Sequence, residues 1–291
     1  MNKAEVLFKE NIKEILANGV LDEDPRPRYK SDGAPAHSLF ITQVCEKYDI
    51  GNNEFPITQL RPIAILNGIK EIQWIYQDQT SDLSVLENKY GIKWWRDWEV
   101  EIKIVVDGEE VIIKGTIGQR YGATIKKYDL MNKLLDGLVN DPFGRSHIID
   151  MFQYADLTQT KGLRPCAFQL ICSVRKVNGE YYLDLTLTQR SSDFLVAGHI
   201  NKMQYVALMM MIAKHCGYRL GNFTHFVQNL HIYDRHVEQA KILLSRTAPD
   251  AKPVLKLNVP DKTNFYDISA EHFELVDYEP ITPNLKFDLG I

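Results

Sequence analysis

Residues 163–193, LRPCAFQLICSVRKVNGEYYLDLTLTQRSSD, decide how this chain folds and where its chemistry lies. Two runs with strand character flank Asn178-Gly179. That dipeptide marks a type I′ hairpin turn, because both central residues must take φ > 0. In the second run Leu183, Leu185 and Leu187 point one way and Tyr182, Asp184, Thr186 and Thr188 the other, the period of a half-buried strand. A two-residue loop sets Val177 against Glu180, and the same register predicts Cys166 opposite Ser191 with Arg190 beside it; a bulge would shift this by one residue and still leave the cysteine beside an arginine. A lone cysteine next to a guanidinium favours thiolate over thiol, and the thiolate is the nucleophile. A small buried hydrophobe is the competing reading of the same residue. Cys45, Cys172 and Cys216 have no cationic neighbour in this register and are read as structural.

The rest of the chain frames this hairpin. With 291 residues, 45% of them hydrophobic, it can bury a sizeable core. A formal charge of −4 provides no basic field for duplex nucleic acid. The four cysteines form no CxxC pair and no metal-ligand spacing, so neither a metal nor a disulfide framework is expected. The N-terminus lacks the apolar core of a signal peptide, and no run reaches the ~18 apolar residues of a membrane span. A soluble cytoplasmic protein is the expectation. No repeat or linker is found, so residues 1–291 read as one α+β domain with a small hairpin excursion at about 99–114.

Working outward, a helix is predicted over Lys3 to Ala17, with Val6, Leu7, Ile12, Ile15 and Leu16 inward and Gly19 as its stop. The Pro-, Gly- and Asp-rich loop DEDPRPRYKSDGAPAHS (22–38) offers Arg26 and Arg28 to an anion. A strand is expected over Leu39 to Tyr48. Pro62 is expected to open a buried helix with Glu71 at its middle. A carboxylate there is costly unless paired or given a task, so Glu71 is either an acid–base group or the partner of an arginine. A short helix from Ser81 to Tyr90 ends at Gly91. Trp94, Trp95 and Trp98 fit core packing or a flat heteroaromatic ligand.

The excursion turns at Asp107-Gly108, with Val100, Ile102 and Ile104 alternating. The glycines of GTIGQRYGA, which carries Tyr121, do not follow a strand or open a helix in the manner of a dinucleotide fingerprint. A helix over Asp129 to Val139 precedes a turn at Pro142–Gly144 and a strand. After the hairpin, Asn201 opens the most apolar helix, stopped by Gly217. A strand from Phe223 to Tyr233 follows, then a helix over Arg235 to Arg246 capped by Asp234. Strands over Val254 to Val259 and Phe273 to Tyr278 close the chain. His231 alone reads as a structural histidine.

Together RPCAF (164–168), QRSSDFLVAGHIN (189–201) and NLHIYDRH (229–236) resemble the thymidylate synthase family, in its Gram-positive bacterial and phage branch. FPITQLRP, KEIQWIYQD, KWWRDWEV, GTIGQRYGA and NDPFGRSHII follow in family order, so the resemblance covers nearly the whole chain. It implies a large twisted mixed β-sheet with packed helices and a homodimer through sheet faces whose sites are shared. It also implies reductive methylation of dUMP to dTMP, with 5,10-methylenetetrahydrofolate as cosubstrate and no metal.

By the same resemblance Cys166 attacks C6 of the uracil and Arg190 supports the thiolate. Arg190 and Ser191 bind the 5′-phosphate with Arg28 of the same chain and Arg145 of the other. Asn201 reads the pyrimidine edge, while His231 and Tyr233 hold the deoxyribose hydroxyl. Glu71 relays protons and Tyr121 helps remove the C5 proton. Trp95 and Trp98 flank the folate, Asp193 bonds its pterin, and Ile291 folds over the site.

Three departures stand out. Ser146 replaces the second of the usual paired arginines, Ala167 follows the nucleophile in place of histidine, and Arg61 replaces a common lysine. Two other functions fit the resemblance. One is a dUMP hydroxymethylase of the same fold, in which water replaces hydride. The other is a non-catalytic dimer kept for RNA binding or regulation, autoregulatory RNA binding being the one nucleic-acid role left open.

Overall fold

Asn2 caps the first helix, α1 (Lys3–Asn18): its side chain accepts the Glu5 N–H, and the Glu5 carboxylate accepts the Asn2 N–H in return. Residues 2–159 and 161–291 are described in the computed structural model, apart from the side chains of residues 104–106 and 159. The inward stripe of α1 is Ala4, Phe8, Ile12 and Ile15, spaced at helical intervals, which leaves the expected Val6 exposed. After β1 (Val20–Leu21) and the arginine-bearing loop comes β2 (Ser38–Asp49). Helix α2 (Ile65–Tyr76) starts three residues beyond Pro62, with Ala64 at its N-cap. Arg61 ties the preceding chain to the Leu195 and Val196 carbonyls. Its burial extends to more than one side, as predicted. Helix α3 (Leu83–Tyr90) is capped by Asp82 and ended by Gly91 in the left-handed region.

The excursion is an antiparallel pair, β3 (Val100–Val106) and β4 (Glu109–Thr116), separate from the main sheet. The side chain of Ile104, expected to alternate with its neighbours in step with Val100 and Ile102, lies outside the described residues. The glycine-rich stretch does join a strand to a helix, α4 (Gly122–Tyr128), contrary to the sequence reading. That strand, however, pairs antiparallel with its neighbour and bridges antiparallel to Asp82, so among the described residues the parallel unit of a dinucleotide site is not formed. Next come α5 (Leu130–Asn140), β5 (Ile148–Asp150) and the unpredicted α6 (Tyr154–Gln159).

The hairpin forms as β6 (Ala167–Val177) and β7 (Glu180–Gln189), with φ of 52° at Asn178 and 87° at Gly179. β8 (Ser192–Asp193) leads into α7 (Gly198–Cys216), which begins before Asn201 and is buried on almost every side. Each of its fully buried Met and Leu side chains contributes about 2 kcal/mol. β9 (Arg219–Tyr233) is followed by a 3₁₀ turn, Asp234–His236, and α8 (Val237–Ser245). Asp234 is not the helix cap, because its carboxylate accepts the Tyr29 hydroxyl and the Arg235 N–H. β10 (Val254–Leu257) and β11 (Phe273–Val276) pair near the C-terminus, shorter than predicted.

The main sheet runs β1-β2-β9-β7-β6-β5, with β8 beside β9. β7 and β8 lie parallel to β9 and the other neighbours are antiparallel, a mixed sheet of an α+β protein. Its register stacks Leu170, Leu187, His225 and Glu46 in one row, and Cys172, Leu185, Phe223 and Tyr48 in another, all buried on the α7 side. The opposite face carries Ile171, Thr186, Thr224 and Lys47, then Gln169, Thr188, Phe226 and Cys45, all half-exposed or exposed.

One bulge corrects the predicted register. From Val177↔Glu180 to Gln169↔Thr188 pairing runs as expected, but Ala167 then pairs with Gln189. Phe168 is therefore the extra residue, and the Arg190 N–H bonds to the carbonyl of Cys166 at 2.9 Å. Cys166 faces Arg190, not Ser191.

Candidate active site

At the end of the sheet where β7 stops, the bulge turns sequence neighbours into a site. The Arg190 guanidinium is fixed by the Pro165 carbonyl at 3.0 Å and the Arg164 carbonyl at 2.8 Å, and reaches the Cys166 Sγ at 3.4 Å. Burial pushes the thiol above its ordinary range, and the positive charges of Arg190 and Arg26 oppose this without overcoming it. Arg190 favours the thiolate, as the sequence suggested, but burial outweighs it and the net direction is toward the thiol. The Cys166 N–H donates to the Tyr121 hydroxyl at 3.0 Å. Tyr121 is buried at φ 44° and ψ −111°, a conformation costing about 1–3 kcal/mol for a non-glycine residue.

Glu71 accepts an indole N–H from Trp94 at 2.6 Å and another from Trp95 at 3.0 Å. Burial raises its carboxyl to about 7, against the opposing hydrogen bonds of Trp95, Trp94 and Gln204. No arginine pairs with it among these contacts, so the acid–base reading is favoured. Trp95 also meets Tyr121 edge-on at 5.2 Å and Trp98 at 5.6 Å. Asn201 Nδ2 donates to the Gln204 Oε1 at 3.0 Å, and Gln204 Nε2 donates to the Gly68 carbonyl at 3.3 Å. On its other side Asn201 Oδ1 accepts from Gln189 at 3.1 Å, and Gln189 Oε1 contacts His225 at 2.9 Å. These bonds hold the Asn201 amide in one orientation.

β8 brings Asp193 beside His231 in parallel register. Burial lifts the Asp193 carboxyl to about 7, opposed by backbone N–H groups and by Arg61. His231 Nδ1 contacts the Asn229 side chain at 3.0 Å, and burial lowers the imidazole to about 4. The His231 and Tyr233 rings are 5.1 Å apart. Burial raises the Tyr233 phenol, with Asp193 adding to the rise, Arg26 opposing it and Cys166 adding further. Asp193, Tyr233, Arg26 and Cys166 are thus electrostatic neighbours.

The loop arginines divide their work. Arg28 turns its guanidinium onto the Pro25 and Pro27 carbonyls, and its backbone pairs with Ile291 at 2.8 and 2.9 Å. Arg26, which the sequence reading offered only as a generic anion ligand, is the loop cation whose field reaches Cys166 and Tyr233. Ser191 is half-buried and gives its carbonyl to Gln189. Arg145 and Ser146 are exposed ahead of β5, and no contact found within the chain brings them to Cys166.

Sequence reasoning missed Gln189 and Gln204, and it did not foresee that Trp94 holds Glu71. Gln204 had a legible signal, the i,i+3 spacing from Asn201 on an apolar helix, and Gln189 lies next to Arg190. Among the described residues no group of three His, Cys, Asp or Glu could hold a metal, and no helix is long and apolar enough to cross a membrane.

Comparison with known proteins returns one family. The profile described as thymidylate synthase matches residues 7–291. The chain is 56% identical over 291 residues to the thymidylate synthase of Streptococcus suis, covering 100% of both chains. It is 56% identical over 292 residues to that of Lactococcus lactis subsp. lactis, again covering 100% of both. Among solved structures, the thermostable thymidylate synthase A from Bacillus subtilis superposes with a TM-score of 0.85 at 30% identity, covering 99% of each chain.

Proposed function

The chain belongs to the thymidylate synthase family, and from that premise we propose which of its residues carry the reductive methylation of dUMP to dTMP. The Cys166 sulfur adds to C6 of the uracil, forming a C–S bond as the C5=C6 π electrons move toward the C4 carbonyl. Arg190, already at 3.4 Å, steadies the sulfur as it gives up its proton. Glu71, half ionised near pH 7, supplies and recovers protons, and the buried Tyr121 hydroxyl assists loss of the C5 proton. Asn201, held by Gln189 and Gln204, reads the pyrimidine edge, since an amide complements uracil. His231 and Tyr233 hold the sugar hydroxyl.

Forked guanidinium donors suit a phosphate, so Arg190 and Ser191 grip the 5′-phosphate with a loop arginine. Arg26 fits that place, because its charge reaches Cys166 and Tyr233, whereas Nη1 of Arg28 is held by two prolyl carbonyls. Arg145 of a second copy completes the grip. The half-exposed sheet face with Phe226, Ile171 and Thr186 suits a homodimer packed face to face. 5,10-Methylenetetrahydrofolate supplies the carbon and the hydride when bound. The residues present fit it: Trp95 and Trp98 offer an aromatic wall, and an Asp193 carboxyl poised at about 7 can both donate to and accept from a pterin edge.

The observation that carries this reading is a continuous chain of contacts: Glu71 accepts the Trp95 indole N–H, Trp95 packs on Tyr121, and the Tyr121 hydroxyl accepts the Cys166 N–H beside Arg190. Fluoro-dUMP with the folate should form a covalent adduct at Cys166, detected by peptide mass. Product mass after incubation with dUMP should be that of dTMP. The absence of an adduct overturns the assignment of Cys166, and a hydroxymethyl nucleotide as product assigns the capture step to water.

The phosphate grip makes a further prediction. Ser146 leaves room for one more guanidinium beside Arg145, so Ser146→Arg should lower the dUMP Michaelis constant by roughly tenfold, the worth of one charge-assisted bond. An unchanged constant removes position 146 from the grip.

A further inference from the structure

Immediately after His231 and Tyr233 the chain turns through Arg235, a residue the site described above does not use. Its Nη1 donates to Asp288 Oδ2 at 2.8 Å and to Ser31 Oγ at 3.2 Å, and its Nη2 donates to Asp32 Oδ2 at 2.8 Å. Asp288 belongs to the C-terminal tail, while Ser31 and Asp32 belong to the loop that carries Arg26 and Arg28. One planar guanidinium thus joins two separate segments, from a position set by the last residues of a central strand.

Other contacts converge there. The guanidinium carbon stands 3.9 Å over the Tyr29 ring, and the Arg235 N–H donates to the Tyr29 hydroxyl at 3.2 Å. His236 Nε2 contacts the Asp288 carbonyl at 2.7 Å. Beyond Asp288 the tail zips onto the loop: Lys30 N–H donates to the Leu289 carbonyl, and Arg28 and Ile291 exchange both backbone bonds. Gly290 is pressed against Tyr233, where a Cβ would lie 2.6 Å from the ring. Lys30 also pairs with Asp97 at 2.8 Å, beside Trp98.

We propose that Arg235 is a positioning residue that locks the C-terminal tail to the arginine-bearing loop, so that the two cover the nucleotide and folate sites as one unit. The proposal rests on the family reading for which ligands are covered. Its geometry depends only on the Arg235, Asp32, Asp288 and Ser31 contacts.

In Arg235→Gln, the Michaelis constants for dUMP and for the folate should both rise by about fivefold or more, with kcat at saturation within about twofold. Carboxypeptidase release of Ile291 from the native enzyme should quicken by about tenfold. Arg235→Lys, which keeps a charge but loses the fork, should fall between wild type and Arg235→Gln. Asp288→Asn attacks the same bond from the tail, so the double variant should be little worse than either single one. Unchanged Michaelis constants with unchanged Ile291 release overturn the proposal, as does strict additivity of the two substitutions. A wild-type protein that fails to methylate dUMP counts against the family-based reading alone, because tail release needs no turnover and still judges the clamp.

Discussion

Exchanging sulfur for oxygen in Cys166→Ser is expected to lower kcat by about 10⁴-fold or more while leaving dUMP binding nearly unchanged, the pattern of a lost nucleophile in an intact site. Burial already holds the Cys166 thiol above its ordinary range, against the pull of Arg190 and Arg26. A serine hydroxyl in the same place starts as a far weaker acid, so the same two cations cannot make its anion available. The contacts that anchor Arg190, to the Pro165 and Arg164 carbonyls, do not involve the sulfur and should survive. Single-turnover kinetics with dUMP, beside calorimetric titration of the nucleotide, separate the two effects. Turnover near the wild-type rate would remove Cys166 from the chemistry.

The second large effect is expected at Glu71. In Glu71→Gln the loss of a positioned proton carrier should reduce kcat by about 10²–10⁴-fold. The pH profile gives the sharper reading. Glu71 titrates at about 7 and the Cys166 thiol above its ordinary range, so near neutral pH the carboxyl is the one of the two that changes charge. Because Glu71 both supplies and recovers protons, turnover should be greatest near the inflection at about 7 and fall on either side of it. In Glu71→Gln that inflection should vanish, and residual activity should climb only where the thiol itself ionises. Identical profiles for the two proteins, measured as kcat/KM from pH 5.5 to 9, would exclude Glu71 from the proton relay. A shift confined to the Michaelis constants would assign it to binding instead.

These two residues differ in how far the sequence revealed them. Glu71 was legible as chemistry because a carboxylate in the middle of an apolar helix calls for a partner or a task. The two indoles that hold it come from residues 23 and 24 positions away, and only folding identifies them. Cys166 was legible as a neighbour of Arg190 through hairpin periodicity alone. The pull of Arg190 was read in the right direction, but the burial that outweighs it was not legible, because a strand pattern reports charges nearby in register and says nothing of solvent exclusion. The loop offered both Arg26 and Arg28 to an anion and the family resemblance named Arg28; in the structure Nη1 of Arg28 is held by the Pro25 and Pro27 carbonyls.

What the sequence determined by itself is local. The Asn178-Gly179 turn, the alternation of β7, the stops at Gly91 and Gly217 and the approximate extent of the longer helices follow from dihedral limits and side-chain periods of neighbouring residues. Tertiary structure alone decided the bulge at Phe168 that sets Cys166 against Arg190, the Glu71–Trp95–Tyr121–Cys166 chain of contacts, and the seating of the tail on Arg235. Each of these joins segments distant along the chain, or depends on the solvent those segments exclude. Short-range pattern carries no information about which distant groups meet, and the free energies that settle it, burial against charge above all, arise only once they do.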